Sequence, residues 1–300
     1  MIGNPGLMGS YDLADKVVLI TGGTGGLGRA TAQRLLARGA NVAIVDVHPR
    51  TADLAAGLSR TRAFGVTADV TERSAMDAAA AAAVARFGRI DVAIANAGVM
   101  GTASTLRTMP AASAEQVLAV NVNGVLNTVG ATVEQVIAHQ GQIVLVSSVF
   151  AFMNGMGAIP YAMSKAAVEQ LGRGLRIELA EHGVSVLTAY FALIQTDMVR
   201  KGVDADPRVL EIMAALPRPL HKRLQPDEAA GAIVRGMTRR SARVIRPRRW
   251  AALSVARGVL GTAGDARLLR DTATLAGLAK LDAPDPSPLP SSGPLQGVPS

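Results

Sequence analysis

The chain contains no cysteine, so disulfides and thiolate metal sites are excluded and the fold must stand on its packed core, which fits a reducing compartment. No stretch reaches the ~18 uninterrupted apolar residues of a bilayer span, and Met1 to Asp15 lack the basic start and apolar run of a secretory signal. A soluble, cytoplasmic protein is expected. Aromatic residues are scarce, at 3%, so the stacking platforms that accompany basic patches in nucleic-acid binders are missing. Nucleic acid is therefore not an expected partner. The histidines His48, His139, His182 and His221 are scattered, and no metal-binding cluster is legible.

What the chain does have is 49% apolar residues in a length of 300, enough for one large core. Short runs rich in Val, Ile and Ala alternate with longer helical stretches, the pattern of βαβ units around a parallel sheet covered on both faces. Strands are expected at Val17 to Ile20, Val42 to Val45, Ala63 to Thr67, Val92 to Ala95, Ile143 to Val146 and Val184 to Thr188, with a weak last one near Val244 and Ile245. Helices are expected to start near Gly26, Thr71, Ala111, Tyr161 and Asp227, the last favoured by Pro226 and the acids that follow it. The alanine run Ala78 to Ala83 reads as a closely packing helix. The fold class is α/β, a doubly wound parallel sheet of seven strands in a single catalytic domain over residues 12–246.

Around that domain, residues 1–11 read as a flexible N-terminus and 247–281 as a basic amphipathic helical extension. Residues 282–300, dominated by Pro, Ser and Gly, cannot offset their ordering entropy and read as a disordered tail. The net charge of +8 is concentrated at Arg235, Arg239, Arg240, Arg243, Arg246, Arg248 and Arg249. Beside Trp250, this basic extension suits either a peripheral contact with an anionic membrane surface or packing on its own domain or a partner subunit.

Residues Val17 to Gly28 form an apolar strand, a turn made mostly of glycine, and the start of a helix. Missing side chains let the backbone approach a pyrophosphate, and the free N–H groups of the helix start point at its charge. Asp46 ends the second strand, where a carboxylate can hydrogen-bond the adenosine ribose hydroxyls and repel a 2′-phosphate. Val47 follows in place of an arginine, and Gly25 stands where a basic residue would serve a phosphate. NAD is therefore expected over NADP, although His48 and Arg50 are nearby.

Ser148 ends the fifth strand, and Tyr161 and Lys165 lie four apart on one helical face. Oxidising an alcohol needs a base for the hydroxyl proton as hydride leaves the carbon. A tyrosine titrates too high for that role at neutral pH, but a neighbouring ammonium favours the phenolate. Ser148 would hold the substrate oxygen.

These residues resemble a classical short-chain dehydrogenase/reductase over roughly Asp12 to Thr238. Thr21-Gly22, Gly26 and Gly28 match that family's cofactor turn, Asp69 in Ala68-Asp69-Val70 its adenine-binding acid, and Asn96-Ala97-Gly98 its motif after the fourth strand. Ser148, Tyr161 and Lys165 match its catalytic residues, and Asn121 is a better match than Asn123 to its catalytic asparagine. The resemblance implies a cofactor site of Thr21, Gly22, Thr24, Gly26, Leu27, Gly28, Asp46, Asp69, Val70, Asn96, Ala97, Gly98, Tyr161, Lys165, Ile194 and Thr196. It implies further that Lys165 holds the nicotinamide ribose, that Asn121 positions a proton-relaying water, that Thr196 bonds the carboxamide, and that the protein is a homo-oligomer.

Two departures stand out: Phe191-Ala192 replaces the family's usual Pro-Gly before Thr196, and Ala95 stands where an asparagine often precedes the Asn-Ala-Gly motif. Residues 197–224 are long for a connection and suit a helical substrate lid. Met100, Val149, Leu193 and Ile194, with the substrate candidates Phe150, Met153, Met156 and Phe191 beside Ser148 and Tyr161, are almost all uncharged. The expected activity is NAD-dependent interconversion of an apolar secondary alcohol and its ketone; the alternative is a catalytically idle NAD-binding scaffold or sensor acting through its basic C-terminal region.

Overall fold

A computed structural model describes residues 10–215 and 222–282. Seven strands form one sheet: β1 (Val17–Thr21), β2 (Asn41–Asp46), β3 (Ala63–Thr67), β4 (Val92–Ala95), β5 (Gln142–Ser148), β6 (Ser185–Phe191) and β7 (Arg243–Arg246). Their order is β3-β2-β1-β4-β5-β6-β7 and every pairing is parallel. The chain winds outward from β1 to β3, then crosses back to β4 and continues the other way. That reversal opens a crevice beyond the C-terminal ends of β1 and β4.

The helices are α1 (Gly26–Leu36), α2 (Thr51–Leu58), α3 (Arg73–Phe87), α4 (Ala111–Leu118), α5 (Gly124–Ala138), α6 (Ile159–Glu178), α7 (Asp197–Val199), α8 (Pro207–Ala215), α9 (Pro226–Thr238), α10 (Arg249–Leu268) and α11 (Thr272–Asp282). Side chains alternate across the strands, so Val18 and Ile20 enter one core with Leu35 of α1 and Ile233 and Met237 of α9. Leu19 points to the opposite core, with Met76, Ala79, Ala80 and Ala83 of α3 and Val125 and Val129 of α5. The alanine run lets α3 lie close against the sheet, as its composition suggests.

Several boundaries differ from expectation. β6 runs three residues further, to Phe191, because Ala189 to Phe191 pair with Val244 to Arg246 of β7. Helix α2 carries only eight residues, too short for its period to stand out in sequence. α3 starts at Arg73 rather than near Thr71, and α6 two residues before Tyr161, with Pro160 in its first turn. The expected flexible N-terminus ends before Tyr11, which is buried; its N–H donates to the Thr238 carbonyl at 2.7 Å and its ring lies between Lys16 and Arg240. At the other end, Asp282 belongs to α11 and accepts hydrogen bonds from Thr105 and Arg107, so the tail boundary at 282 is one residue too early. Residues 283–300 and 1–9 lie outside the described residues, as does part of the expected lid, 216–221. Among the described residues no helix is long and apolar enough to cross a membrane, and no cluster of His, Asp and Glu could hold a metal.

Candidate active site

The glycine turn sits in the crevice that the strand order creates. Gly22 adopts φ 64°, in the left-handed region, and a methyl group there would lie 2.8 Å from the Ala97 Cα. A methyl on Gly28 would overlap the Gly22 carbonyl oxygen, and one on Gly26 would lie 2.9 Å from the Thr196 methyl. α1 begins with no acid in its first turn and no side-chain cap, which leaves its N–H groups toward the crevice. The cradle thus fits a bound dinucleotide phosphate.

Asn96 braces this cradle: its Nδ2 donates to the carbonyls of Thr21 (2.9 Å) and Gly22 (3.1 Å). Asp46 stands at the end of β2, with Oδ2 accepting from the Thr24 N–H (2.9 Å) and hydroxyl (2.7 Å). Arg50 turns to Asp53 at 3.4 Å. Asp69 accepts from the N–H and hydroxyl of Thr71, both at 2.8 Å, closing the bend that brings Asp69 and Val70 to the cleft wall.

The residues expected to handle the proton come from β5, α6 and the junction of α4 and α5. Lys165 is buried, and its Nζ donates to the Val146 carbonyl at 3.1 Å and lies 5.5 Å from the centre of the Tyr161 ring. Burial pushes its ammonium down to about 8. Enclosure also raises the Tyr161 phenol above its ordinary value, with a hydrogen bond to Ser148 pulling the other way. Desolvation therefore outweighs the depression expected from the lysine, because both charged forms lose water. Ser148 Oγ donates to the Phe191 carbonyl and accepts from the Phe150 N–H, each at 3.2 Å. Phe150 meets the Tyr161 ring edge-on, with centroids 5.6 Å apart.

Asn121 occupies a π-helical turn, Ala119–Asn123, between α4 and α5, a wider turn of the kind found at functional sites. Its side chain is locked by the Val99 N–H and carbonyl, both at 2.8 Å, and donates to Ser164 Oγ at 3.0 Å. Ser164 in turn donates to the Tyr161 carbonyl at 2.7 Å. Sequence reasoning passed over Ser164, although its place three residues after Tyr161 put it on a related face. A methyl on Gly98 would lie 3.1 Å from Asn121 Oδ1 and 3.5 Å from Lys165 Nζ, so glycine there allows these groups to crowd together.

One continuous cavity of about 800 Å³ joins these parts. It is lined by Gly22, Thr24, Gly26, Leu27, Gly28, Asp46, Asp69, Val70, Asn96, Ala97 and Gly98, and by Ser148, Phe150, Met153, Met156, Tyr161, Lys165, Phe191, Ile194 and Thr196. Thr21 lies beneath the lining, its hydroxyl donating to the Ile94 carbonyl, and Asn121 is wholly buried behind it. Ala95, the departure after β4, is buried in the core. The segment after β6 contributes Val199, Gly202, Val203 and Met213 to the wall. Unforeseen are Trp250, Leu253, Leu260, Gly261, Gly264 and Leu281, from α10 and α11.

A parallel sheet whose reversal point meets a glycine cradle defines a Rossmann-type dinucleotide-binding fold. A family model described as short chain dehydrogenase matches residues 16–206. Cis-4-hydroxycyclohexanecarboxylate dehydrogenase of Sinomonas cyclohexanicum is 34% identical over 223 residues, covering 73% of this chain and 88% of the relative. The crystal structure of levodione reductase superposes with a TM-score of 0.71 at 27% identity, covering 80% of this chain and 99% of the other. A 3-ketoacyl-(acyl-carrier-protein) reductase from Brucella melitensis, complexed with NADH, gives 0.66 at 25% identity, covering 79% and 99%. The chain belongs to the short-chain dehydrogenase family. It is an oxidoreductase of the class that binds a nicotinamide cofactor and acts on CH–OH groups.

Proposed function

We propose that this protein catalyses the reversible, NAD-linked oxidation of an apolar secondary alcohol to its ketone, with Tyr161 as the acid and base. The observation that carries the reading is the convergence of Ser148, Tyr161 and Lys165 on one wall of a cleft whose far end holds the glycine cradle and Asp46. Ser148 holds the substrate oxygen, Tyr161 takes the hydroxyl proton, and the Lys165 ammonium favours the phenolate so formed. A bound nicotinamide supplies the hydride acceptor. Asn121 and Ser164 hold the helix junction beside Lys165, and Thr196, whose methyl lies beside Gly26, would bond the nicotinamide carboxamide.

Two features support NAD over NADP: the Asp46 carboxylate at the end of β2, and Arg50 engaged by Asp53. The apolar substrate class is supported by Phe150, Met153 and Met156 on the cavity wall. A homo-oligomer is part of the same reading, since Leu126 on α5 and Met163 and Ile177 on α6 are exposed. Light scattering in solution checks it.

NADH absorbance followed with a panel of hydrophobic alcohols tests the chemistry, repeated with Tyr161→Phe. Turnover that drops at least ~10²-fold in the variant is expected for loss of a general acid–base. NAD binding without turnover on any alcohol, or an unchanged rate in the variant, would overturn the mechanism.

A further inference from the structure

Helices α10 and α11 lie beyond the family-matched residues, yet they line the catalytic cleft. Leu253, Leu260, Gly261, Gly264 and Leu268 of α10 all border the cavity and recur at helical spacing, so they occupy one stripe. At 1.5 Å per residue that stripe is about 22 Å long. Trp250 anchors its start: the indole is 3% exposed and packs with Val149, Tyr190 and Phe150.

Four polar ties hold the two helices over the cleft. Arg257 Nη1 donates to both oxygens of Glu169 on α6, at 2.9 and 3.0 Å. Asn154 donates to Asp265 at 3.0 Å, Lys280 pairs with Glu211 of α8, and Asp282 accepts from Thr105 and Arg107. Exposed pairs contribute little singly, but these reach four separate segments. They also use Asp265, the one charged residue that α10 places on the cavity.

The ceiling is recessed at two points. Gly261 and Gly264 line the cavity, and a Cβ built on either would meet nothing within 4 Å. A small alcohol would leave most of so long an apolar surface uncovered, whereas a bulky one would bury it.

Building on the dehydrogenase reading, we propose that α10 and α11 form a fixed roof over the substrate end of the cleft and set its specificity. The substrate class is a bulky, uncharged apolar secondary alcohol or ketone, larger than a single six-membered ring, whose body lies under Gly261 and Gly264.

Trp250 is the single tryptophan of the chain, so its emission reads occupancy of the cavity without turnover. Titration of the NAD-bound protein with 1-decalone and with cyclohexanone forms complexes that cannot react, because oxidised cofactor cannot reduce a ketone. Decalone is expected to bind about tenfold or more tightly than cyclohexanone. Gly261→Leu and Gly264→Leu are each expected to weaken decalone about tenfold or more, with cyclohexanone and NAD affinities unchanged. Gly258→Leu, on an exposed position of the same helix, is expected to change neither ketone.

Equal affinities for the two ketones, or decalone binding unaffected by both glycine variants, would overturn the roof proposal while leaving NAD binding intact. Loss of decalone binding in Gly258→Leu as well would also count against it. A protein that binds no NAD at all would instead overturn the dehydrogenase reading on which the proposal rests.

Discussion

The Ser148 hydroxyl donates to the main-chain carbonyl of Phe191 at 3.2 Å across the β5–β6 pairing. This contact sets Phe191 beside Ser148, and its aromatic side chain is 3% exposed in the sheet core. Phe191 therefore ends β6, and the Ala192 N–H continues its pairing with the Arg246 carbonyl at 3.0 Å. The side chain supports the site from below.

Ser148→Ala is expected to lower kcat/KM by on the order of 10²-fold, the scale of one lost oxyanion-type donor, while NAD affinity stays unchanged. Phe191→Ala is expected to cost about 3–5 kcal/mol of stability through the cavity it leaves. Steady-state kinetics and denaturant titration separate the two effects. A Phe191→Ala protein with unaltered stability would show that the ring does not support the sheet.

Asp46 holds Thr24 through its N–H and hydroxyl, so Asp46→Asn is a gentler test of cofactor choice than Asp46→Ala. The amide still accepts from Thr24 but carries no charge. Relative preference for NAD over NADP is expected to fall by an amount on the scale of a charge-assisted hydrogen bond, about 1.5–3 kcal/mol, or roughly ten- to a hundredfold. Cofactor titrations with both nucleotides measure it.

Lys165 is held by burial at about 8, below its ordinary value. Below pH 8 the folded protein carries a desolvated ammonium and is penalised for it. Between pH 8 and the unfolded lysine value near 10.5, the unfolded chain binds the extra proton, so this group's contribution to stability improves as pH rises. The melting temperature of the native protein relative to Lys165→Met is thus expected to rise from pH 8 to pH 10. A constant difference would mean that Lys165 titrates normally in the folded state.

At Gly28 an added methyl would overlap the Gly22 carbonyl and lie 2.9 Å from Asn96 Nδ2. Gly28→Ala is expected to lower the melting temperature and weaken NAD binding together, since the turn and helix start must separate. Gly57→Ala is the matched control: nothing lies within 4 Å in α2, and the change is expected to stabilise by about 0.4–1 kcal/mol. Calorimetry on both variants with and without NAD distinguishes a cradle effect from helix propensity.

All seven strands and the starts of α1, α3, α4, α6 and α9 were legible because buried parallel strands are continuous apolar runs and the covering helices are periodic. α2 was not, being too short to display a period, and neither was the start of α5, which follows α4 through a π-helical turn without a break. The pairing of Tyr161 with Lys165 was readable for another reason: they are neighbours on one helix, so their local spacing already implies a shared face. Ser164 was passed over because its value lies in bridging Asn121 and Tyr161, a meeting of α6 with a π-helical turn that local spacing does not encode.

By itself the sequence determined the α/β class with its seven parallel strands, the glycine-rich turn and the shared helical face of Tyr161 and Lys165, since each rests on local periodicity or on residues a few positions apart. Tertiary structure alone decided the direction of the Tyr161 and Lys165 shifts, because enclosure of both groups depends on segments distant in the chain. It also decided where the basic C-terminal extension goes. An amphipathic helix does not say which neighbour it meets, and only the packing of Trp250 and the ties to Glu169, Asn154 and Thr105 put α10 and α11 above the cleft.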